Sequence, residues 1–109
     1  MRKTVKLHTL IYQAPDVPGQ WIAHCLEIDL VTQGNSAPHA LEMIAEAIEI
    51  VAKDNVARGR PAIEIRPAPA EDWARLAYAE DLATRLLHLP KSQATIVPSQ
   101  LDDIASASA

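Results

Sequence analysis

The chain has 109 residues, which is one domain's worth and enough to bury roughly two-thirds of the unfolded surface around one core. Hydrophobic residues make up 49% and the net charge is −4, which argues against a disordered chain and against tight non-specific binding to phosphate backbones. The single cysteine, Cys25, excludes an internal disulfide and a zinc-type cysteine pair, and fits a reducing cytoplasm.

Only four residues are aromatic and none is Phe, so the core must be built from Leu, Ile, Val and Ala. No apolar stretch approaches the ~20 residues that span a bilayer. Met1-Arg2-Lys3-Thr4 leads into alternating residues and not into an apolar signal core.

The alternation from Lys3 to Ala14 predicts a strand, with Val5, Leu7, Thr9 and Ile11 on one face and Lys6, His8, Leu10 and Tyr12 on the other. The second face turns from polar to apolar along its length, as a strand passing from solvent into cover would. Pro15-Asp16-Val17-Pro18-Gly19 is a turn, and Gln20 to Leu26 a second strand, so an antiparallel hairpin is expected. Asp29 to Gln33 reads as a third short strand, ended by Gly34-Asn35.

Ser36 is a suitable helix cap and Pro38 suits the first turn. A helix is expected to about Arg58, with Gly59 as its stop. Leu41, Ile44, Ile48 and Val51 form its buried face, Met43, Ala47 and Ile50 a second apolar flank, and Glu42, Glu46, Glu49 and Lys53 its wet side. That apolar arc is wider than one sheet face requires, and its surplus is expected to meet the C-terminal helix or another subunit. Pro61 to Arg66 reads as a fourth, edge strand, Pro67 to Ala70 as a stiff linker, and Glu71 to about Leu87 as a second helix with Trp73, Leu76, Ala79, Ala83 and Leu86 in one stripe. From Pro90 the tail is either disordered or docked through Ile96, Val97, Leu101 and Ile104. The expected architecture is α+β: a small antiparallel sheet on one long helix in the order β-β-β-α-β over residues 1–66, with a C-terminal helix and tail over 67–109 packed on it or on a second subunit.

Gly19 to Ile28, then Val31-Thr32-Gln33-Gly34-Asn35-Ser36, then Ala40-Leu41 and Glu46-Ala47-Ile48 together resemble the HicB-like antitoxin family over about residues 5 to 66. The likeness rests on an aromatic and a small residue before a Cys-x-x-type segment, a Thr-Gln-Gly corner, and a helix carrying Glu-Ala-Ile. It implies a partial ribonuclease-H-like fold and an antitoxin that masks a small basic RNA-cleaving toxin of HicA type, in a homodimer or higher homo-oligomer. There are two departures. Pro38-His39 stands where the family has acidic residues. Residues 67–109 resemble neither of the family's DNA-binding domains and hold six acidic against three basic residues, so direct DNA binding by this chain is not expected.

No enzymatic activity, cofactor, metal site or membrane association is expected. The residues weighed for partner binding are Tyr12, Trp21 and Trp73, because aromatics dominate interface hot spots, and Glu42, Glu46 and Glu49, which offer charge complementarity to a basic toxin. Each has a plainer use: Tyr12 and Trp21 as caps on the core, Trp73 as a staple for its helix, and the glutamates as a solvated face. Two rival readings are a stand-alone oligomeric module with a different partner, and a metal-dependent nuclease. For the latter, Asp16, Glu27 and Asp29 are the available carboxylates near the first three strands. His24 and Cys25 are adjacent in a strand and so point to opposite faces, which separates them as a catalytic pair.

Overall fold

The computed structural model describes residues 4–101. Lys3, expected in the first strand, and Ile104, expected to help dock the tail, lie outside the described residues. The fold is α+β: a six-stranded mixed sheet with one long helix and a short second helix.

The first half follows the alternation and periodicity of its sequence. Strands β1 (Thr4–Gln13), β2 (Trp21–Cys25) and β3 (Leu30–Gly34) are joined as antiparallel neighbours. Helix α1 (Ala37–Ala57) begins where Ser36 Oγ accepts a hydrogen bond from the His39 amide at 3.1 Å. It ends before Gly59, whose φ of 75° takes the chain out of the helix. Ala40, Ile44, Ala45, Ile48 and Ala52 are its buried residues. They pack on Leu7, Ile11, Ala23 and Cys25, which are wholly buried on one face of the sheet. This is the main core, and it is aliphatic as the composition requires.

The second half corrects the sequence-based expectation in three places. Residues 61–66 form no strand. The segment crosses the end of the sheet, tied by the Arg66 amide to the Glu27 carbonyl and the Ala68 amide to the Leu26 carbonyl, each at 2.8 Å. Two prolines without amide donors, Pro61 and Pro67, bracket the five residues there, and the last of the five, Arg66, spends its amide on the Glu27 carbonyl.

The second helix does not run from 71 to 87. It is α2 (Ala70–Ala74) followed by a 3-10 turn (Arg75–Tyr78) and then strands β4 (Glu80–Asp81) and β5 (Arg85–Leu89). Trp73, Leu76 and Ala79 do share one side, but Ala83 and Leu86 do not join them. Leu87 and Leu89 alternate into the main core instead. Pairing with the following strand outweighs the helical spacing of that stripe.

Residues 90–101 of the tail are neither disordered nor merely docked. Ser92–Gln100 is β6, paired parallel to β1 from Thr4↔Gln93 to Ile11↔Gln100. Residues 92–100, expected to be a disordered or docked tail, therefore insert into the sheet of the first half as a strand, and residues 85–89, placed mostly in the expected second helix, pair with them. The order is β3-β2-β1-β6-β4, with β5 also on β6.

A two-residue turn, Pro90-Lys91, joins β5 to β6. Proline fixes the first position and Lys91, at φ 61°, takes the left-handed second position of a type II turn. Pro98 sits in the middle of β6 opposite Thr9. It is tolerated because β4 ends at the partner of Ser99 and β5 begins at the partner of Ile96, so no described strand pairs with residue 98 on that side. The Leu82 amide reaches the Pro98 carbonyl in the gap at 2.9 Å.

The other face of the sheet has a smaller core. Leu10, Leu26, Ala68 and Leu101 are buried there, with Tyr12, Trp73, Leu76 and Ala79 packed around them. Along β1 that face goes from exposed Lys6 through half-buried His8 to buried Leu10, the passage from solvent into cover that the sequence predicts. Among the described residues, no helix is long and apolar enough to cross a membrane.

Candidate interaction surfaces

The six residues weighed for partner binding fall into three separate places. Tyr12 and Trp73 meet on the second face of the sheet, around the minor core. The guanidinium of Arg75 lies 4.2 Å from the centre of the Tyr12 ring, and the Trp73 ring lies 6.0 Å from that of His8 at a tilt of 55°. α2 and the 3-10 turn thus stand on β1 through aromatic and cationic contacts. Both aromatics are half-buried and serve as a staple for this segment. Tyr78, at the end of the 3-10 turn, is 77% exposed and is the most open aromatic among the described residues.

Trp21 lies on the opposite face, packed half-buried against the main core. Its place in the register, between Gln13 of β1 and Gly34 of β3, makes it a cover for the open end of that core.

Glu42 and Glu46 are exposed and Glu49 is half-exposed, on the side of α1 that faces away from the sheet. None of the three forms an ion pair with a described residue. Ile50, one turn beyond Glu46, is 68% exposed. The row is one of carboxylates with an apolar end, open to a partner.

The carboxylates of the nuclease reading are not gathered. Asp16 is exposed in the β1–β2 turn. Glu27 belongs to His8: its Oε1 accepts the His8 amide at 2.7 Å, and its Oε2 lies 2.6 Å from His8 Nδ1. Asp29 belongs to His24, with Oδ1 2.6 Å from Nε2. Among the described residues, no three His, Cys, Asp or Glu side chains are placed to hold a metal ion.

The two histidine–carboxylate pairs were not foreseen in the sequence. They hold the β2–β3 connection against both strands, and Asp29 adopts φ 50° to do so. The signal was there in the His-x-x-Glu-x-Asp run of 24 to 29, but the partner of each histidine depends on which face each residue takes.

His24 and Cys25 do take opposite faces. His24 has a side chain only 7% exposed on the second face, and Cys25 is wholly buried in the main core. Burial pushes the Cys25 thiol up to about 12, and the neighbouring Glu27 carboxylate adds to the effect. The thiol is therefore an inert packing group at neutral pH.

One cavity of about 180 Å³ opens between the end of α1 and the start of β3, lined by Ile28, Leu30, Val51, Asn55 and Ile63 with Arg60, Glu64 and Arg66 at its rim. Glu64 lies 3.7 Å from Arg60 Nε and 3.5 Å from Arg66 Nη2, so a single carboxylate faces both guanidiniums and the rim stays net positive.

Comparison of the chain with family models, with curated proteins and with solved structures gives no match.

Proposed function

We propose that this chain is a HicB-like protein-binding module, an antitoxin that neutralises a small basic RNA-cleaving toxin by covering its active face. The observation that carries the reading is the open carboxylate row of α1. Glu42, Glu46 and Glu49 have no cationic partner among the described residues, and the exposed Ile50 sits beside them. A basic surface laid on that row would gain long-range attraction during encounter and apolar contact at Ile50.

The stretch that carries the family resemblance also folds as one unit. Trp21 to Ile48 gives two strands, a tight corner and a helix, all packed on β1. The further strand that the resemblance implies after the helix does not form at residues 61–66, and the next long strand is β6, parallel to β1. Occlusion asks no chemistry of this chain. Its contribution is a stable surface of the right charge.

Co-expression with the small basic reading frame nearest its own gene tests the proposal. A complex of fixed stoichiometry that survives purification and loosens with salt is the expected result. Recovery of the chain with a non-basic protein instead would favour the rival reading, an interaction module with another partner.

A further inference from the structure

We infer that β3 is the dimer edge of this protein, on which a second copy of the chain adds its own β3 to make one continuous sheet. The proposal concerns the β3 edge, which adjoins the carboxylate row only at Ile50, and it stands whether or not the partner of that row is a toxin.

The argument starts from the hydrogen-bond parity of the ladder. The Leu26 amide donates to the His8 carbonyl and the Ala14 amide to the Gln20 carbonyl, so the even-numbered residues of β2 turn their backbone groups to β1. The odd-numbered ones, Trp21, Ala23 and Cys25, turn theirs to β3, where they pair with Gly34, Thr32 and Leu30. Val31 and Gln33 are left with amide and carbonyl pointing outward at the end of the sheet. Both residues are exposed, and no described residue pairs with them on that side.

Exposed edges are normally blunted by lysine, proline, a bulge or a covering loop. β3 reads Leu-Val-Thr-Gln-Gly and has no charge and no proline. The opposite edge is broken into two short strands, β4 and β5, and carries Glu80, Asp81 and Arg85. Only the β3 edge is both uninterrupted and uncharged.

Beside it runs the second apolar flank of α1. The Thr32 hydroxyl hydrogen-bonds the Ala40 carbonyl at 3.5 Å, and Val51 faces Ile28 and Leu30 across the cavity, so α1 lies along β3 for most of its length. Met43 and Ala47 of that flank are half-buried and its Ile50 is exposed, and Val51, expected on the buried face, is only half-buried one turn beyond Ala47.

A second copy suits this edge because the edge is self-complementary. With Thr32 on a two-fold axis, Val31 of each copy stands opposite Gln33 of the other. Each such pair then exchanges two backbone hydrogen bonds, and every outward donor and acceptor of β3 is used. The same axis brings the two apolar flanks of α1 towards each other. The seam is uncharged on both sides, so identical copies meet without like-charge repulsion between strands. A basic foreign partner would gain nothing there and is better served by Glu42, Glu46 and Glu49.

Sedimentation of the full chain at high micromolar concentration, at low and high salt, tests this with two variants. Gln33→Pro removes an outward amide without touching a bond to β2, and Ile50→Lys charges the helix flank at an exposed position. Wild type should sediment as a dimer at both salt concentrations. Each variant should keep the wild-type circular dichroism and dimerise about tenfold more weakly or worse. A monomeric wild type would overturn the inference, including one that reaches a defined assembly only with a different protein. So would folded variants that both retain the wild-type dimer.

Discussion

Gly34 lies directly under the first turn of α1: a Cβ at residue 34 would come within 2.5 Å of the Ala40 amide nitrogen and 2.8 Å of its Cα. Those atoms are backbone, fixed by the Ser36 cap and the bond from the Ala40 amide to the Ser36 carbonyl, and cannot give way as a flexible side chain would. The Thr-Gln-Gly corner is thus a packing requirement, set by the close approach of helix and strand. Gly34→Ala should destabilise the protein by about 1–3 kcal/mol in urea unfolding, the range for overpacking a filled site. A change near zero would mean that strand and helix part easily at this corner.

Cys25 gives the protein a specific weakness in alkali. Its thiol is raised from 9.0 to about 12 in the fold, first by burial and then by Glu27. Below pH 9 the thiol is protonated in both the folded and unfolded chains, and the contribution to stability is intact. As pH rises towards 12, only the unfolded chain ionises, and the fold loses on the order of 1 kcal/mol per pH unit from this group. Unfolding free energies of wild type and Cys25→Ala, measured from pH 8 to 11, should diverge in slope, with the variant losing less. A thiol reagent at pH 8 should modify Cys25 only as fast as the protein opens.

Asp29 combines a left-handed backbone with a bond to His24. Asp29→Asn keeps a residue that tolerates φ 50°. Asp29→Ala keeps neither the conformational tolerance nor the bond. The alanine variant should lose about 1 kcal/mol for the backbone and about 1 kcal/mol more for the unsatisfied His24. Asparagine should fall clearly less. Thermal melts at pH 7 would show the order, and equal melting points for the two variants would remove the backbone part of the explanation.

Arg75 over Tyr12 holds the 70–78 segment on the second face. A double-mutant cycle with Tyr12→Leu and Arg75→Ala should return a coupling of about 0.5–1 kcal/mol, the size of a partly exposed cation–π contact. Zero coupling would leave Trp73 and Leu76 as the anchors of that segment.

The sequence is most readable where one local rule covers a whole element. Val5, Leu7, Thr9 and Ile11 alternate cleanly, Ser36-Ala37-Pro38 marks a helix start, and Ile44 and Ile48 keep one face, so β1 to α1 could be placed before any coordinates. Past residue 60 the local rules conflict. Trp73, Leu76, Ala79, Ala83 and Leu86 satisfy a helical stripe, while Leu87, Leu89, Ala94 and Ile96 satisfy alternation. What decides between them is β1, whose residues pair with β6 residues 89 positions further along the chain and offer a parallel ladder that no local pattern announces. A proline argues against a central strand, and only the gap between β4 and β5 reconciles Pro98 with one.

The residues weighed for partner binding were legible as types but not as a group. Glu42, Glu46 and Glu49 do share an outer face, whereas Tyr12 and Trp73 on one side of the sheet and Trp21 on the other cannot belong to one contact. The face a strand residue takes is set by pairing register, and register was the missing information.

On the function proposed here, a basic RNA-cleaving partner sits on the carboxylate row of α1 and is silenced there. The decisive test is to titrate the purified chain into an RNA-cleavage assay with that partner, in parallel with a Glu42→Lys, Glu46→Lys double variant. Cleavage should stop near one equivalent of wild type, and the folded double variant should need at least about tenfold more. Cleavage that continues at excess wild-type chain, or that the double variant suppresses equally well, would contradict the account.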